Sequence, residues 1–395
     1  PHHLLIDIIE DAQARVGEAS GIPSRLAGAV LFDTGSSSFV AVSARSVVLA
    51  TGGMGGLYGR HLVGGDCLGS AQAVSLAHGE KLVNIEFLQL MSTVMTPRGP
   101  VVFNEKCFRF SDLSVDVPDG LLDQRSTYGP FTSRLASRAV DLAIAEAGAP
   151  VTVRVDRLPD PAPEFIGTYR SWYEDATGLR IGDPVELFHS AHASNGGIAI
   201  ATDGSCALPG LFAAGECAGG MHGADRIGGL ASASALVFGR KAGHFAMIHA
   251  LGEVDVPVEV DVALEKAPNL EAVGAELGAV LDEHALVVRT EEGLAHAERT
   301  MADLSSRLGR TEPGSQEETA LTLLQRQRVL SARALVSAMR ARTESRGAHF
   351  RADHQAEDPA QARPNAVTLG SDGSFTIAPA EHLEGSRMDN RSINP

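Results

Sequence analysis

The spacing of apolar residues predicts alternating strands and helices over the first part of the chain. Apolar segments at 27–33, 38–44 and 46–53 are typical of strands, and the last is so uniformly apolar that we expect burial on both faces. Residues 3–17 carry Leu and Ile at helical spacing, which predicts an amphipathic helix. A helix followed by a turn is expected within residues 66–84.

The middle of the chain is less regular. We expect irregular structure over most of residues 84–160, apart from a helix at 131–148 that a glycine and a proline end. Alternating apolar and polar residues predict a strand at 151–158, and residues 164–178 suit a helix.

Regular patterns return in the second half of the chain. We expect strands at 196–204 and 210–216, a helix at about 230–251 and a linker at 255–261. Three further helices are expected, at 269–285, 291–308 and 315–342. The whole pattern is typical of one α/β domain that contains an inserted domain and is followed by a helical domain.

Composition narrows the class of protein. With 395 residues, the chain can form two or three domains around sizeable cores. Its formal net charge of −16, with no basic stripe to offset it, argues against a nucleic-acid partner. No run of 18 apolar residues occurs, so we expect no membrane span. Four scattered cysteines favour reduced thiols in a cytoplasmic protein and no metal site: Cys67, Cys107, Cys206 and Cys217.

A first candidate site follows the apolar segment 46–53, where Thr51, Gly52 and Gly53 begin a glycine-rich turn. In open α/β sheets, ligands bind at the carboxyl ends of strands, and glycine lets the backbone approach a phosphate or a sugar closely. The same residues would also serve as a tight strand exit with no ligand, so the turn alone leaves both interpretations open.

A second candidate site lies in residues 210–243. Glu216 stands at the end of a predicted strand, where a carboxylate can accept hydrogen bonds from ribose or ribityl hydroxyls. A helix that begins near Leu230 would offer its N-terminus to an anionic or electron-rich ring edge. Arg226 lies between glycines that allow a small ligand to approach. The alternative is a surface loop in which Asp225 pairs with Arg226.

These segments together resemble the family of the fumarate reductase and succinate dehydrogenase flavoproteins and L-aspartate oxidase. The AAGE and HGADR sequences before a helix are similar to the family's C-terminal flavin segment. Four other segments agree with the family in the same order: VVLATGG (47–53), HASNGGIAI (192–200), VVRTEEGL (287–294) and RTESRGAHFRADH (342–354). The resemblance therefore covers nearly the whole chain.

The resemblance implies a set of substrate contacts. His192 and Arg226 match a histidine and an arginine that bind a substrate carboxylate, and His222 is expected to join them. From the residues alone, His192 could instead be a satisfied core histidine. The segment NIEFLQLMST departs from the family because Met91 and Ser92 replace a histidine and a proline. Methionine donates no strong hydrogen bond, so we expect a substrate that lacks a second carboxylate or presents another group there.

The resemblance also implies a proton path and a cofactor site. Arg134 matches an arginine proposed to shuttle a proton, although from the residues alone it could be a charge on a helix surface. Glu105 and Arg109 fall near a glutamate and a second arginine of that path. The implied cofactor is FAD, and the residues expected to contact it are Thr51, Gly52, Gly53, Glu216, Gly229, Ala231 and Ser232.

Two further departures concern the flavin. Leu230 and Ala231 stand where the family usually has Asn and Ser, although backbone N–H groups could still contact the ring. The family's phosphate-binding GxGxxG motif is not found before residue 46, and the chain begins at Pro1. We therefore expect that a preceding segment of about 100 residues, the size of a small domain, or a second polypeptide supplies the phosphate loop.

The expected fold is α/β: an incomplete Rossmann-like FAD-binding domain with an inserted α+β capping domain, followed by an α-helical domain. Residues 1–88 and 192–252 would form the two parts of the FAD-binding domain, 89–191 the capping domain, 253–350 the helical domain and 351–395 a tail. The tail is rich in Pro, Asp and Gly.

The expected function is hydride transfer between flavin N5 and a small carboxylate-bearing substrate, with amino-acid or amine oxidation favoured because the second carboxylate contact is altered. Redox chemistry at a C–C bond, as in fumarate reductase, is the alternative. A non-catalytic subunit or fragment that completes a heteromeric flavoprotein is an alternative of another class. The direction of the reaction and the electron acceptor stay open.

Overall fold

The structure is a computed structural model that describes residues 2–11, 24–252 and 258–380. Its strands are β1 (His3–Glu10), β2 (Leu26–Asp33), β3 (Ser38–Ser43), β4 (Val47–Leu49), β5 (Leu82–Val83), β6 (Leu88–Thr96), β7 (Gly99–Val102), β8 (Ser111–Leu113), β9 (Val151–Val155), β10 (Val185–Ser194), β11 (Gly197–Ile198), β12 (Leu211–Ala213), β13 (Asn365–Leu369) and β14 (Phe375–Pro379). Its α-helices are α1 (Ser70–Ala77), α2 (Leu121–Arg125), α3 (Arg138–Ala145), α4 (Glu164–Thr177), α5 (Leu230–Leu251), α6 (Leu270–His284), α7 (Glu291–Leu308) and α8 (Gln316–Ala341). The mixture of strands and helices, followed by a run of helices, confirms the predicted class.

The first strand contradicts the helix predicted at 3–17. Residues 3–10 form β1, and residues 12–17 lie outside the described part of the chain. β1 pairs antiparallel with β2, which pairs with β3. Two register shifts interrupt the β1–β2 pairing, and such bulges disturb strict alternation so that apolar residues imitate helical spacing. Burial of Ile6 and Ile8 gives the strand its core face.

The region predicted to be mostly irregular, 84–160, contributes four strands to a five-stranded antiparallel sheet. The strand order is β7-β6-β10-β9-β8. β6 pairs with β10 over most of its length, and Met91 lies opposite Ser190. On one side of this sheet, Ile166 and Tyr173 of α4 pack with Val153 in a separate apolar core. The partner strand β10 lies far along the chain, which explains why the local pattern did not predict this sheet.

A short parallel sheet brings the two candidate ligand-binding turns together. β4 and β12 pair in parallel, with Val47 opposite Leu211, so that the turns after both strands lie at one edge. Within the described residues, β4 pairs with no strand other than β12. Val48 of β4 is consequently 39% exposed, and the prediction of burial on both faces of this strand is wrong for that residue.

The described part of the predicted tail is folded against the rest of the molecule. β13 and β14 form a hairpin, and Val367 of β13 lies opposite Leu82 of β5. β11, β5, β13 and β14 thus make a four-stranded sheet. Residues 381–395 lie outside the described part, as do residues 255–257 of the predicted linker. The predicted domain boundaries stay predictions.

The three C-terminal helices begin and end close to their predicted positions. Ser315 and Glu318 form a capping box at the start of α8, with each side chain bonded to the other residue's backbone N–H. α8 contributes Leu335 and Met339 to the main apolar core, which it shares with α6 and α7. Among the helices that the structure describes, none has both the length and the apolar character needed to cross a membrane.

Candidate functional site

The glycine turn after β4 lies directly against Glu216, at the end of β12. Ser194 N–H donates to Glu216 Oε1 over 2.8 Å. A Cβ atom on Gly53 would lie 2.3 Å from Glu216 Oε1 and 2.6 Å from Ser194 Oγ, so a larger residue at position 53 would displace the Glu216 carboxylate. Burial raises the pKa of Glu216, and the hydrogen bond from Ser194 opposes that rise. Thr51 and Gly52 lead into this turn at the same sheet edge.

The loop from Gly215 to Gly229 forms a glycine-lined surface that faces open space. Gly215, Gly220, Gly223 and Gly229 have positive φ, and a Cβ on any of them would meet no described atom within 4 Å. Gly229 precedes α5 without a side-chain cap, and Ala231 and Ser232 in the first turn are exposed. Leu230 N–H donates to Ile227 O over 3.2 Å, so the backbone N–H groups of Ala231 and Ser232 are the ones left to meet a ligand.

These features fit FAD, the cofactor implied by the sequence. Glu216 could accept hydrogen bonds from ribityl hydroxyls, and the N-terminus of α5 offers N–H groups and a positive dipole end to the electron-rich edge of a flavin. Reduced flavin carries negative charge at that edge, which such a helix end favours.

Arg226 is a partly buried cation whose hydrogen bonds go to uncharged groups, and its charge lowers the pKa of the nearby Glu216. Its Nη2 donates to the Gln89 side chain and its Nη1 to the carbonyl of Ile227 over 3.3 Å. Within the part of the chain that the structure describes, no carboxylate forms an ion pair with Arg226, and its buried Nε has no hydrogen-bond partner. The alternative of an Asp225–Arg226 salt bridge is not what the structure shows. Asp225 pairs with Arg134 instead.

Two histidines lie within electrostatic reach of Arg226. Burial, and then the Arg226 charge, lowers the pKa of His192 and also that of His222. Both rings are therefore neutral at neutral pH. The buried Nδ1 atoms of both have no partner among the described residues, while His222 Nε2 lies 3.3 Å from Ser234 Oγ. His192 is thus not a fully satisfied core histidine in this structure.

Arg134 precedes a helix rather than lying on one. The helix predicted at 131–148 begins only at Arg138, because tertiary hydrogen bonds hold the residues before it in a turn. Ser133 N–H donates to Gly347 O over 2.7 Å, and Thr132 Oγ1 donates to Asp225 over 2.7 Å. Arg134 Nε also donates to Asp225 over 2.7 Å, and half of the Arg134 side chain is exposed. These contacts bring Arg134 into the same loop cluster as Arg226.

Met91 and Glu105 both lie close to Gly129. A Cβ on Gly129 would lie 3.5 Å from Glu105 Oε2 and 3.8 Å from Met91 Cε. Arg109 is exposed and donates from Nε to Ser126 Oγ over 3.1 Å. The structure therefore places Glu105 and Met91 near the same glycine, while Arg109 contacts Ser126.

Sequence reasoning missed two residues that hold the arginine loop. Gln89 contacts Arg226 twice, through its Oε1 and by donating from Nε2 to the Arg226 carbonyl over 3.2 Å. It lies two residues before Met91 on β6, so the period of a strand could have indicated a shared face. Gly347 has φ +54, and a Cβ there would lie 2.4 Å from Ala224 O. The RTESRGAHFRADH segment is thus packed directly against the arginine loop.

A cavity of about 560 Å³ is lined in part by that loop. Arg134, His222 and Asp225 line it together with Arg346 and Arg363 from the C-terminal segment. Its size is within the range of small-molecule sites. Arg346 is held by Glu344 and Glu357, so its charge is already compensated.

Comparisons with known proteins identify the family of this chain. Residues 142–231 match the model of an FAD binding domain, and residues 274–379 match that of the fumarate reductase flavoprotein C-terminal region. The chain is 30% identical over 374 residues to L-aspartate oxidase of Caulobacter vibrioides, covering 92% of this chain and 68% of that protein. It is 30% identical over 358 residues to L-aspartate oxidase of Mycobacterium leprae, covering 86% of this chain and 64% of that protein.

Among solved structures, Sdh1 of Mycobacterium smegmatis superposes with a TM-score of 0.77 at 25% identity, covering 97% of this chain and 67% of that one. The chain thus spans about two thirds of the length of the relatives it matches. Identity at this level over most of the chain, together with both family models, shows which protein family the chain belongs to. The chain belongs to the family of FAD-dependent oxidoreductases that includes L-aspartate oxidase and the fumarate reductase flavoproteins.

Proposed function

We propose that this chain carries the substrate-binding side of an FAD-dependent oxidoreductase that oxidises a small carboxylate-bearing substrate, with an amino acid or amine as the favoured class. The observation that carries the proposal is Arg226, a partly buried cation with no carboxylate partner among the described residues, set beside two neutral histidines. Such a cation is costly unless a ligand anion completes it.

The residues have distinct tasks in this proposal. Arg226 supplies the charge that binds the substrate carboxylate, and His192 and His222 supply hydrogen bonds without adding charge. Gln89 holds the guanidinium of Arg226 by accepting a hydrogen bond at its side-chain oxygen. Glu216 and the first turn of α5 hold the cofactor, whose flavin accepts the hydride when FAD is bound.

The neighbourhood of Met91 supports a substrate with one carboxylate. Met91 offers an apolar surface, and the Glu105 carboxylate, which also lies near Gly129, would repel a second carboxylate but attract an ammonium group. An amino acid, held by its carboxylate at Arg226, has the complementary charges. The fumarate reductase type of C–C chemistry is less favoured, because its substrates carry two carboxylates, and it stays the alternative.

The phosphate-binding part of the cofactor site would come from a segment or polypeptide with the GxGxxG turn. The exposed apolar face of α5 supports this. Leu236 is 75% exposed and Val237 is 52% exposed, and Val48 of the neighbouring β4 is also uncovered. Apolar surface of this kind usually marks a contact site. We place the assembly in the cytoplasm, where the four cysteines, which form no disulfide, would stay reduced.

The deciding experiment is the visible absorption spectrum of the purified assembly that contains this chain, followed by turnover assays on amino acids, monocarboxylates and dicarboxylates. Flavin absorption near one equivalent, with turnover of an amino acid or amine, supports the proposal. A flavin-loaded assembly that turns over only fumarate or succinate would favour the alternative. An assembly with no flavin, or with flavin and no turnover, would favour a non-catalytic role.

Met91→His tests the assignment of the substrate class. A histidine there would donate a hydrogen bond to a second carboxylate, so we expect kcat/KM on dicarboxylates to rise about tenfold relative to monocarboxylates. Met91→Leu is the matched control and should leave the ratio unchanged. No gain on succinate, fumarate or aspartate would count against a lost second carboxylate contact.

A further inference from the structure

Three aromatic residues of α4 form a row along one side of the helix. Phe165, Tyr169 and Trp172 follow one another at helical spacing. Phe165 is 59% exposed, and Trp172, which is the only tryptophan of the chain, is 50% exposed. Another side of α4 packs into the apolar core through Ile166 and Tyr173. The two exposed rings are therefore not what attaches α4 to the sheet.

The middle ring of this aromatic row is held in place by hydrogen bonds. The Tyr169 hydroxyl donates to Val102 O over 2.8 Å, and the backbone N–H of Asn104 donates to the same hydroxyl. The Tyr169 ring centroid lies 5.8 Å from that of Trp172, with 34° between the ring planes. Tyr169 thus limits where the Trp172 ring can lie, and a ligand would meet a surface that is already formed.

A groove of about 540 Å³ runs beside the aromatic row, and its size is within the range of small-molecule sites. The three rings line it together with Asn104, Glu164 and Thr168. The Glu164 side chain is exposed and forms no ion pair within the described part of the chain. The Thr168 hydroxyl donates to Glu164 O over 3.1 Å, so it can only accept a further hydrogen bond from a ligand. The described lining thus carries one negative charge and no positive charge.

Rings and a carboxylate together favour a cation over other ligands. The face of an aromatic ring is electron-rich, so it attracts an ammonium group, and alkyl groups on the nitrogen bury apolar surface against the same ring. An anion would be repelled by Glu164, and a neutral apolar ligand would leave that carboxylate unused. The net charge of −16 also draws cations toward the protein.

We propose that the groove beside α4 binds a small organic cation with an alkylated ammonium group. The rings of Phe165 and Trp172 contact the alkyl groups, and the Glu164 carboxylate compensates the charge. This groove shares no lining residue with the candidate substrate site at Arg226, so the proposal does not depend on the proposed function.

The first test compares choline with 3,3-dimethylbutan-1-ol, an uncharged alcohol of the same shape in which carbon replaces the nitrogen. Both are titrated calorimetrically into the purified assembly that contains this chain. We expect choline to bind with a Kd of about 1 mM and the alcohol to bind at least about tenfold more weakly. Equal Kd values for the two compounds, or no saturable binding of choline, would overturn the proposal.

The second test replaces the exposed ring of Trp172. Trp172→Leu keeps an apolar side chain without a ring face, so we expect choline to bind about fivefold more weakly, whereas Trp172→Phe should keep most of the affinity. The difference in fluorescence between the unaltered assembly and Trp172→Phe isolates the signal of Trp172, and choline should change it with the calorimetric Kd. An unchanged Kd in Trp172→Leu would place the cation elsewhere and overturn the proposal.

The third test removes the carboxylate. Glu164→Gln should weaken choline binding about threefold, as expected for an exposed charge pair. Glu174→Gln is the matched control, because Glu174 is exposed on the same helix and does not line the groove, and it should leave the Kd nearly unchanged. Circular dichroism checks the fold of Glu164→Gln, since a carboxylate in the first turn also stabilises the helix N-terminus. Equal weakening by both substitutions would indicate attraction to the overall charge and would overturn the site.

Discussion

Two arginines in this chain, Arg342 and Arg226, differ in how completely the protein neutralises them. Arg342 is fully buried and pairs with Glu86 at 2.7 Å and with Glu344 at 2.8 Å, while its guanidinium lies 4.7 Å from the Phe87 ring centroid. Arg226 has a glutamine and a carbonyl as its partners. The charge of Arg342 is fully compensated by the protein's own carboxylates. The charge of Arg226 is left for a ligand anion to compensate.

This difference provides a criterion for deciding whether another cationic side chain has a structural or a ligand-binding role. A buried charge that is saturated by the protein's own carboxylates holds structure together, because its desolvation is already compensated. A partly buried charge that is left short of partners is a candidate for binding. Arg351 meets the first description through Asp353, and Arg134 lies between the two, with one carboxylate and an open end.

The largest effect should come from breaking the saturated group. Arg342→Ala leaves Glu86 buried without its cation, whereas Glu344 keeps its pairing with Arg346. Burial already raises the pKa of Glu86 against the opposing Arg342 charge. We expect the free energy of unfolding to fall by about 3–5 kcal/mol. Denaturant unfolding followed by circular dichroism measures it.

The control for that variant is an exposed ion pair. Arg307 bonds Glu276 at 2.7 Å on the surface, and Arg307→Ala should cost less than about 1 kcal/mol. Equal losses for the two variants would mean that saturation by buried carboxylates is not what distinguishes Arg342.

The next effect should be on activity rather than on stability. Arg226→Ala removes the carboxylate anchor, so we expect kcat/KM to fall at least about 100-fold while flavin stays bound and the unfolding free energy hardly changes. Steady-state kinetics and the flavin spectrum check both parts. Arg226→Lys should recover only part of the loss, because a lysine cannot form two parallel hydrogen bonds to a carboxylate. Normal turnover in Arg226→Ala would remove Arg226 from the site.

A smaller effect should appear in the pH dependence of stability. Burial and the charge of Arg289 hold the pKa of His349 well below its ordinary value of 6.5, and Arg289 Nη1 donates to its Nδ1 over 2.5 Å. Below that value the unfolded chain binds a proton that the folded chain does not. The free energy of unfolding should therefore decrease as the pH is lowered below 6.5, by about 1.4 kcal/mol per pH unit.

The comparison that isolates this histidine is His349→Gln, because other groups titrate in the same range. Urea unfolding at about pH 7.5 and about pH 5.5 should show a smaller loss in the variant than in the unaltered chain. Parallel losses in both proteins would show that His349 does not carry the effect.

The parts of the fold with strong local signals could be predicted from the sequence. The C-terminal helices and the helix from Leu230 follow from apolar periodicity and caps, and the glycine turns indicate the sites at Gly53 and Glu216. The five-stranded sheet could not be predicted, because its central strands pair across distant parts of the chain.

The same limit applies to the candidate site. Arg134 was predicted to lie on a helix because residues 131–148 favour one locally, and only bonds to Asp225 and Gly347 from remote segments keep it in a turn. Gln89 carried no motif of its own. The sequence therefore indicates which residues are candidates for the site. It does not indicate that Asp225 pairs with Arg134, because that pairing depends on how loops from three regions meet.

The contact between Gly347 and Ala224 limits how this protein can be rearranged. Ala348 N–H donates to Ala224 O over 3.0 Å, and Gly347 O accepts from Ser133 N–H, so one tight turn binds both arginine-bearing loops. A chimera that takes its C-terminal third from a relative must reproduce this turn to within a side chain's width. The helical region and the substrate loops therefore have to be inherited, exchanged and engineered as a single unit.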